Sequence, residues 1–368
     1  MERAWGWTAK TDEHSHLTPR HPGRDELRVH WLTMAIMEDP TCESAAPHTP
    51  DTASFGADGA YLCVLASGSA GNCSVLALCR GGMTRLCLID LGLSPRRTFR
   101  MMAELEGPGG SRAALRPDMI DECLVTHLDS DHLHTGWRRQ TPGHVRVRMH
   151  DRHARAAGMK GWLKESWKVT PFEDDFAIED EVRVRPLLMS HDELGVAAYR
   201  IELAPAYGGG SLGFATDLGH VHSGLVDHFG ASEVRGAAAV DVLAIESNYC
   251  PAMQHASTRP EVLKHRIMGG HGHLSNQECV SAVMQIEPRE HVVLLHLSRQ
   301  CNRPEVVAAL HSGADYALTI STQSAPTRWV KIGSGGARPL PRREQAQLVV
   351  RPRTLWTMNE EPAGSTHA

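Results

Sequence analysis

The stretch Thr126-His127-Leu128-Asp129-Ser130-Asp131-His132 places four potential metal ligands, His127, Asp129, Asp131 and His132, within six residues. It directly follows Leu124-Val125, the end of an apolar run that reads as a buried strand. Residues two apart on extended backbone point the same way. A turn at the strand's end can then aim His127 and Asp129 at one ion, and Asp131 and His132 at a neighbour. A chance cluster on a solvated loop does not usually follow a buried strand so tightly, so the stretch is taken as metal-binding.

Such a loop needs partners from other strand ends, and the sequence has candidates. His191-Asp192 follows Leu187-Leu188-Met189-Ser190, Asp217 ends Gly213-Phe214-Ala215-Thr216, and His296 lies in Val292-Val293-Leu294-Leu295-His296-Leu297-Ser298. Singly, each also reads as a buried histidine satisfied by a carbonyl, or an aspartate capping a turn. Together they have the right kind and number to complete two adjacent sites. Paired cations roughly 3.5–4 Å apart clamp a displaced oxygen while activating water.

The surrounding chain reads as many short strands with interspersed helices. Strand candidates are 61–67, 73–79, 85–91, 122–126, 145–149, 182–189, 196–203, 212–216, 240–245, 292–297 and 316–320. Helix candidates are 95–106, 151–159, 260–268, 276–286 and 304–311, with Ser94 and Asn276 as N-caps and Pro95 at a first helical position. The early strands are joined by short turns. That predicts an α+β, layered αββα body rather than a doubly wound parallel sheet.

Composition bounds what this body can be. An apolar fraction of 41% over 368 residues excludes a wholly disordered chain. A net charge of −5, from 38 basic and 43 acidic residues, is not a basic nucleic-acid-binding profile, so any such contact must come from a local patch. Nine cysteines without a CxxC pair suit buried free thiols in a reducing cytosol. No apolar run approaches the ~18 residues of a membrane span, and no secretory signal is recognisable. The expected compartment is the cytoplasm. Residues 1–58 read as a disordered leader; its five histidines (His14, His16, His21, His30, His48) are read as solvated before metal-scavenging. Residues 335–368 read as a flexible tail, basic through Arg338, Arg342, Arg343, Arg351 and Arg353.

In their order these motifs resemble the metallo-β-lactamase fold superfamily, whose signature is a T-H-x-H-x-D-H loop followed by isolated His, Asp and His ligands. The resemblance covers residues 61 to 321 and implies one four-layer αββα metallohydrolase domain over 59–334. It implies two divalent metal ions. His127, Asp129 and His191 would surround one, Asp131, His132 and His296 the other, with Asp217 bridging. Leu88-Ile89-Asp90-Leu91-Gly92 resembles the superfamily's first motif, in which Asp90 supports the metal loop without ligating. Asp129 stands where the family usually has its second histidine. A carboxylate there makes the site harder and more anionic, which favours Mn²⁺ slightly relative to an all-imidazole site suited to Zn²⁺.

Further strings narrow the branch. Ala66-Ser67-Gly68-Ser69-Ala70-Gly71-Asn72-Cys73-Ser74 is a small-residue turn between strands, without the Lys-Ser/Thr ending of a phosphate-binding P-loop. Glu246-Ser247-Asn248 closes a strand, Gly272-His273-Leu274-Ser275-Asn276 opens a helix, and His296-Leu297-Ser298-Arg299-Gln300-Cys301-Asn302-Arg303-Pro304 is a polar, basic turn. The set resembles the YycJ (WalJ)-type branch, regarded as single-domain 5′ DNA exonucleases. The 79 positions from Asp217 to His296 leave no room for the clamping domain that β-CASP nucleases insert.

The function this implies is phosphodiester hydrolysis by a metal-bridging hydroxide on nucleic acid, DNA favoured over RNA. Asp131 or Asp217 would orient the nucleophile. His273 would protonate the leaving oxygen or contact the phosphate; equally, it reads as a helix-start histidine bonding its own loop. Ser69, Asn72, Asn248, Ser275, Asn276, Arg299 and Asn302 are the supporting or substrate-binding candidates, and Arg303 and the pair Lys264 and Arg266 are further guides for the backbone. The alternatives are a hydrolase of a small phosphodiester or thioester on the same site, and a non-catalytic relative. Nothing in the sequence fixes an oligomeric state.

Overall fold

The computed structural model describes residues 57–333, except 112, 141–142, 164–166, 180, 192 and 271. The leader assigned to 1–58 (except its last two residues), the tail assigned to 335–368, and Asp192 lie outside the described residues. Two seven-stranded sheets face each other. Across the first run β14 (Val330–Ile332), β1 (Gly59–Ala66), β2 (Cys73–Arg80), β3 (Met83–Ile89), β4 (Ile120–Val125), β5 (Arg146–His150) and β6 (Lys168–Phe172). Across the second run β13 (Ala317–Ile320), β12 (His291–Leu295), β11 (Val242–Glu246), β10 (Ser211–Ala215), β9 (Val196–Leu203), β8 (Val182–Met189) and β7 (Phe176–Glu179). The helices are α1 (Pro95–Ala103), α2 (Trp137–Gln140), α3 (Asp151–Met159), α4 (Ser223–Phe229), α5 (Pro251–Ala256), α6 (Glu261–Met268), α7 (Asn276–Ile286) and α8 (Pro304–Leu310).

The central strands are apolar on both faces because each face meets a different layer. In β1, Tyr61, Cys63 and Leu65 pack with α1 residues Met101 and Met102 and α3 residues Ala154 and Ala157. The alternate residues Ala60, Leu62 and Val64 pack across the sandwich with Tyr199, Ile201, Phe214 and Val242 of the second sheet. The outer face of that sheet, through Ala198, Leu243 and Leu294, meets Phe229 of α4, Val283 of α7 and Val307 of α8. Three apolar spaces therefore separate four layers, αββα, as the sequence predicts. A buried Leu, Ile or Val contributes roughly 1.5–3 kcal/mol through such contacts.

Strands 182–189 and 196–203 and helices 151–159 and 276–286 fall where the sequence puts them. Six elements were not legible. β6 carries Pro171 and lies at a sheet edge, where a missing N–H is tolerated. β7 and β14 have only four and three residues, α2 only four, and α5 only six. The seven-residue α4 carries a glycine in its first turn. One cap is corrected: Ser275, not Asn276, caps α7, accepting from Glu278 N while Glu278 Oε2 accepts from Ser275 N.

At the end of the sandwich from which β4 starts, Glu122 is buried between Arg148, 3.2 Å from its Oε2, and Arg146, 2.8 Å from its Oε1. Arg148 also donates to Ala177 O in β7, tying the sheets together. Glu122→Ala leaves a buried guanidinium without its carboxylate and is expected to cost about 3 kcal/mol. Denaturant unfolding measures this; a loss below half that value refutes it.

Candidate metal centre

Chain direction decides which strand ends meet. β3 is parallel to β4, and β10, β11 and β12 are mutually parallel. β8 and β10 are both antiparallel to β9, so they also run the same way. The residues emerging from these C-terminal ends are Asp90, His127, His191, Asp217, Glu246 and His296. Tyr199 Oη donates to Val125 O at 2.7 Å, and Ala197 N donates to Thr126 O at 2.9 Å, which joins the two sheets at this point through their interior strands β9 and β4.

Three of these residues leave their strands with left-handed backbone: φ is 65° at Asp90, 53° at Asp217 and 57° at His296. Such a conformation costs a side-chain-bearing residue roughly 1–2 kcal/mol. Among the described residues only Glu287 shares it outside glycine. Strain of this kind persists where the surrounding contacts enforce it, and it gathers at functional sites.

Ligand-type atoms then converge in four overlapping groups, each within 4.8 Å: His127, Asp129 and His191; His127, His132 and Asp217; Asp131, His132 and His296; and Asp217, Glu246, His273 and His296. All seven residues expected as ligands are brought together, and the two expected triads each form a group. Asp217 stands between them: it groups with His127 of the first triad, and from the second its Oδ2 lies 2.8 Å from His132 Nε2 and its Oδ1 3.7 Å from His296 Nε2. Asp131 Oδ2 lies 3.5 Å from His296 Nε2, and Asp129 Oδ2 lies 3.8 Å from His127 Nε2.

The donor set fits divalent ions on two observations. Nε2 of His127, Nε2 of His296 and Nδ1 of His191 are buried without a hydrogen-bond partner, a cost of about 1–3 kcal/mol each that a cation relieves. The second is the field. Burial disfavours charge on His132 and His296, yet Asp217 and Asp90 hold His132 well above its ordinary range, and Asp217 and Asp131 push His296 up to about 10. Burial and the neighbouring His132 keep His127 well below its usual value. Against burial, His296 and His132 hold Asp217 well below the carboxylate range, and His273 lowers Glu246. Burial raises Asp129. Imidazole nitrogens among buried carboxylates suit Zn²⁺ or Mn²⁺.

A second layer fixes the first. Asp90 accepts from Thr126 N and Oγ1 at 2.8 and 2.9 Å, and its Oδ2 lies 2.7 Å from His132 Nδ1. His132 Nε2 is thereby left facing Asp217. Gly92, two residues on, lies where a Cβ would collide with Asp131 O. Asp90→Ala is expected to weaken metal affinity about 10–100-fold, as measured by competition with a chromophoric chelator. An unchanged affinity removes Asp90 from the site.

The other supporting candidates separate clearly. Asn72 Nδ2 donates to Asp131 O at 3.1 Å and lies 2.9 Å from His132 Nε2, so the turn after β1 touches the metal loop. Asn248 Nδ2 donates to His296 O at 2.8 Å and lies 2.9 Å from His296 Nδ1. Asn276 and Asn302 are buried and spend their amides on each other, Ser247 and Asn248. With Ser275 capping α7, these residues brace the segment around His296. Ser69 and Arg299 are exposed, Ser69 on the turn between β1 and β2. Lys264 departs from expectation: its amine turns inward to His255 O and Glu261 at 2.9 Å, so it is not a free cation.

Two residues were missed as parts of this cluster. Glu246 is fully buried, with Oε1 2.7 Å from His273 Nδ1 and 3.4 Å from His296 Nδ1, while Oε2 accepts from Leu218 N at 2.7 Å. Its sequence signal, a carboxylate closing an apolar strand, is the one that marked Asp217. Ser67 accepts from His296 N at 2.8 Å and donates to Asn72 Oδ1 at 2.9 Å, a contact across 229 positions that no local pattern signals.

The description of a beta-lactamase superfamily domain matches residues 85–297. The chain belongs to this superfamily. The superfamily's fold implies divalent metal binding, and the groups above are the candidates for it. The chain is 27% identical over 259 residues to "Exodeoxyribonuclease YycJ" of Bacillus anthracis, covering 67% of this chain and 86% of that one. It is 25% identical to "Exodeoxyribonuclease WalJ" of Streptococcus pneumoniae, covering 66% and 83%. In fold it is similar to the metallo-β-lactamase fold protein YhfI of Bacillus subtilis, with a TM-score of 0.52, 12% identity, and 73% and 100% of the chains covered. The chain thus has the hydrolase fold of the metallo-β-lactamase superfamily.

Proposed function

We propose that the chain is a dinuclear metal-dependent phosphodiesterase acting as a DNA exonuclease from the 5′ end. The observation that carries this reading is the pair of adjacent triads, His127/Asp129/His191 and Asp131/His132/His296, with Asp217 between them. The similarity to two exodeoxyribonucleases supports DNA rather than RNA as substrate. Two divalent ions, Zn²⁺ or Mn²⁺ with Mn²⁺ favoured by Asp129, would be held there. When bound, such ions lower the pKa of water and offset charge developing on phosphoryl oxygens.

The protein's own groups supply the rest. Asp129 and Asp131 keep 53% and 24% of their side-chain surface open, so a phosphodiester has access from this side. Asp131 or Asp217 would accept a hydrogen bond from the attacking water and orient it. His273 engages Glu246 through Nδ1, which leaves Nε2 to give a proton to the departing 3′-oxygen. No helix among the described residues is long and apolar enough to cross a membrane. Seven of the eight described cysteines are buried, all eight are unpaired, and burial pushes Cys63 and Cys279 up to about 12, which suits a reducing cytoplasm.

The test offers 5′-labelled and 3′-labelled DNA, single- and double-stranded, and a chromogenic bis-aryl phosphodiester to the full chain with Mn²⁺ or Zn²⁺. An Asp131→Ala/His132→Ala double variant is the control. Mononucleotide release from the 5′ end, absent in the control, is expected. Turnover of the small ester beside intact DNA replaces this reading with a small-molecule hydrolase.

A further inference from the structure

The turn after His296 holds an arginine that no motif singled out. Arg259 lies between α5 and α6, half-buried. Its guanidinium donates to Gln300 Oε1 at 3.0 Å, Gln254 Oε1 at 3.3 Å and Ser298 Oγ at 3.3 Å. Two of those acceptors, Gln254 and Ser298, are buried. All three are neutral, and among the described residues no carboxylate pairs with it. Elsewhere on the surface, Arg80, Arg116, Arg183 and Arg289 each have a carboxylate within 3.1 Å. Arg259 is thus a cation held in a fixed place with its charge uncompensated.

Its place is tied to the site. Ser298 is two residues beyond His296, and Ser298 N donates to Asn248 O at 2.8 Å. Asn248 in turn holds His296 through its side-chain amide. Arg299, exposed, is the neighbour of both Ser298 and Gln300, so a second cation stands on the same turn. A guanidinium presents several N–H groups in a fixed fork that suits phosphate oxygens. Three neutral acceptors orient that fork without cancelling its charge.

We propose that Arg259 binds a backbone phosphate of the nucleic-acid strand outside the bond being cut, and so selects polynucleotides over small phosphodiesters. This rests on the nuclease reading above. The alternative role is mechanical: Arg259 fastens the 298–300 turn to the end of α5. Charge and hydrogen bonding separate the two. Arg259→Lys keeps the charge and loses the fork, whereas Arg259→Gln keeps hydrogen-bonding capacity and loses the charge.

The experiment titrates a fluorescein-labelled, phosphorothioate-protected DNA strand into the full chain across a range of NaCl concentrations, reading anisotropy. Arg259→Gln is expected to flatten the slope of log K against log[salt] by about 0.7, the share of one phosphate contact on a single strand. In the nuclease assay it raises KM for DNA about tenfold while kcat moves far less. Arg259→Lys keeps most of the slope. If Arg259→Gln retains the parental slope, or Arg259→Lys loses as much as Arg259→Gln, the proposal is overturned and the nuclease reading stands. A parental chain that neither binds nor shortens DNA overturns both. Metal content and melting temperature of each variant confirm that the comparison is between folded, loaded proteins.

Discussion

Asp217→Asn is expected to empty both halves of the metal site and to lower phosphodiester turnover on the order of a thousandfold or more. The substitution isolates charge. Asparagine has nearly the same shape, and it tolerates the left-handed backbone found at Asp217, where φ is 53°. What disappears is the anion that groups with His127 of one triad and lies 2.8 Å from His132 Nε2 and 3.7 Å from His296 Nε2 of the other. Both histidines owe their strong preference for positive charge to Asp217 first among their neighbours. The variant's amide would also present N–H groups or a neutral oxygen where a cation needs charge. Metal analysis after dialysis, together with kcat/KM on a bis-aryl phosphodiester, measures the outcome. Full metal content with turnover within tenfold of the parent would remove Asp217 from the centre of the site.

Much of this arrangement was legible in the sequence for a physical reason. The central strands of this fold are buried on both faces, so Gly59–Ala66, Val242–Glu246 and His291–Leu295 appear as apolar runs with clear ends. Candidate ligands placed just after such runs, as His127 and Asp217 are, stand out because charge rarely follows a buried strand without purpose. Illegible were features set by long-range packing. Nothing local tells that Ser67 meets His296, or that Lys264 turns its amine to His255 O while Arg259 bonds neutral acceptors beside His296. Glu246 lies between these cases: its pattern matches that of Asp217, but only the fold shows that its carboxylate lies against His273 and His296. The edge strands β6, β7 and β14 escaped because an edge needs neither length nor alternation.

That buried carboxylate sets up the second large effect. If His273 gives its proton to the departing 3′-oxygen, His273→Ala should lower kcat on DNA about 10²–10⁴-fold, the range of general acid catalysis. The same variant should lose far less on bis(4-nitrophenyl) phosphate, because 4-nitrophenolate leaves without needing a proton. Glu246→Gln should show the same selectivity. Its oxygen can still accept from Leu218 N, now at 2.7 Å from Oε2, but the amide turned toward His273 Nδ1 donates where the carboxylate accepts. The proton is then kept on the other ring nitrogen of a neutral imidazole, a weaker acid than the imidazolium that Glu246 supports against burial. Because both variants disable one proton-donating unit, the double variant should be little worse than either single one. A loss equal on the two substrates would mean that His273 only holds its loop, and additive losses would mean that Glu246 acts mainly through His296, 3.4 Å away on its other side.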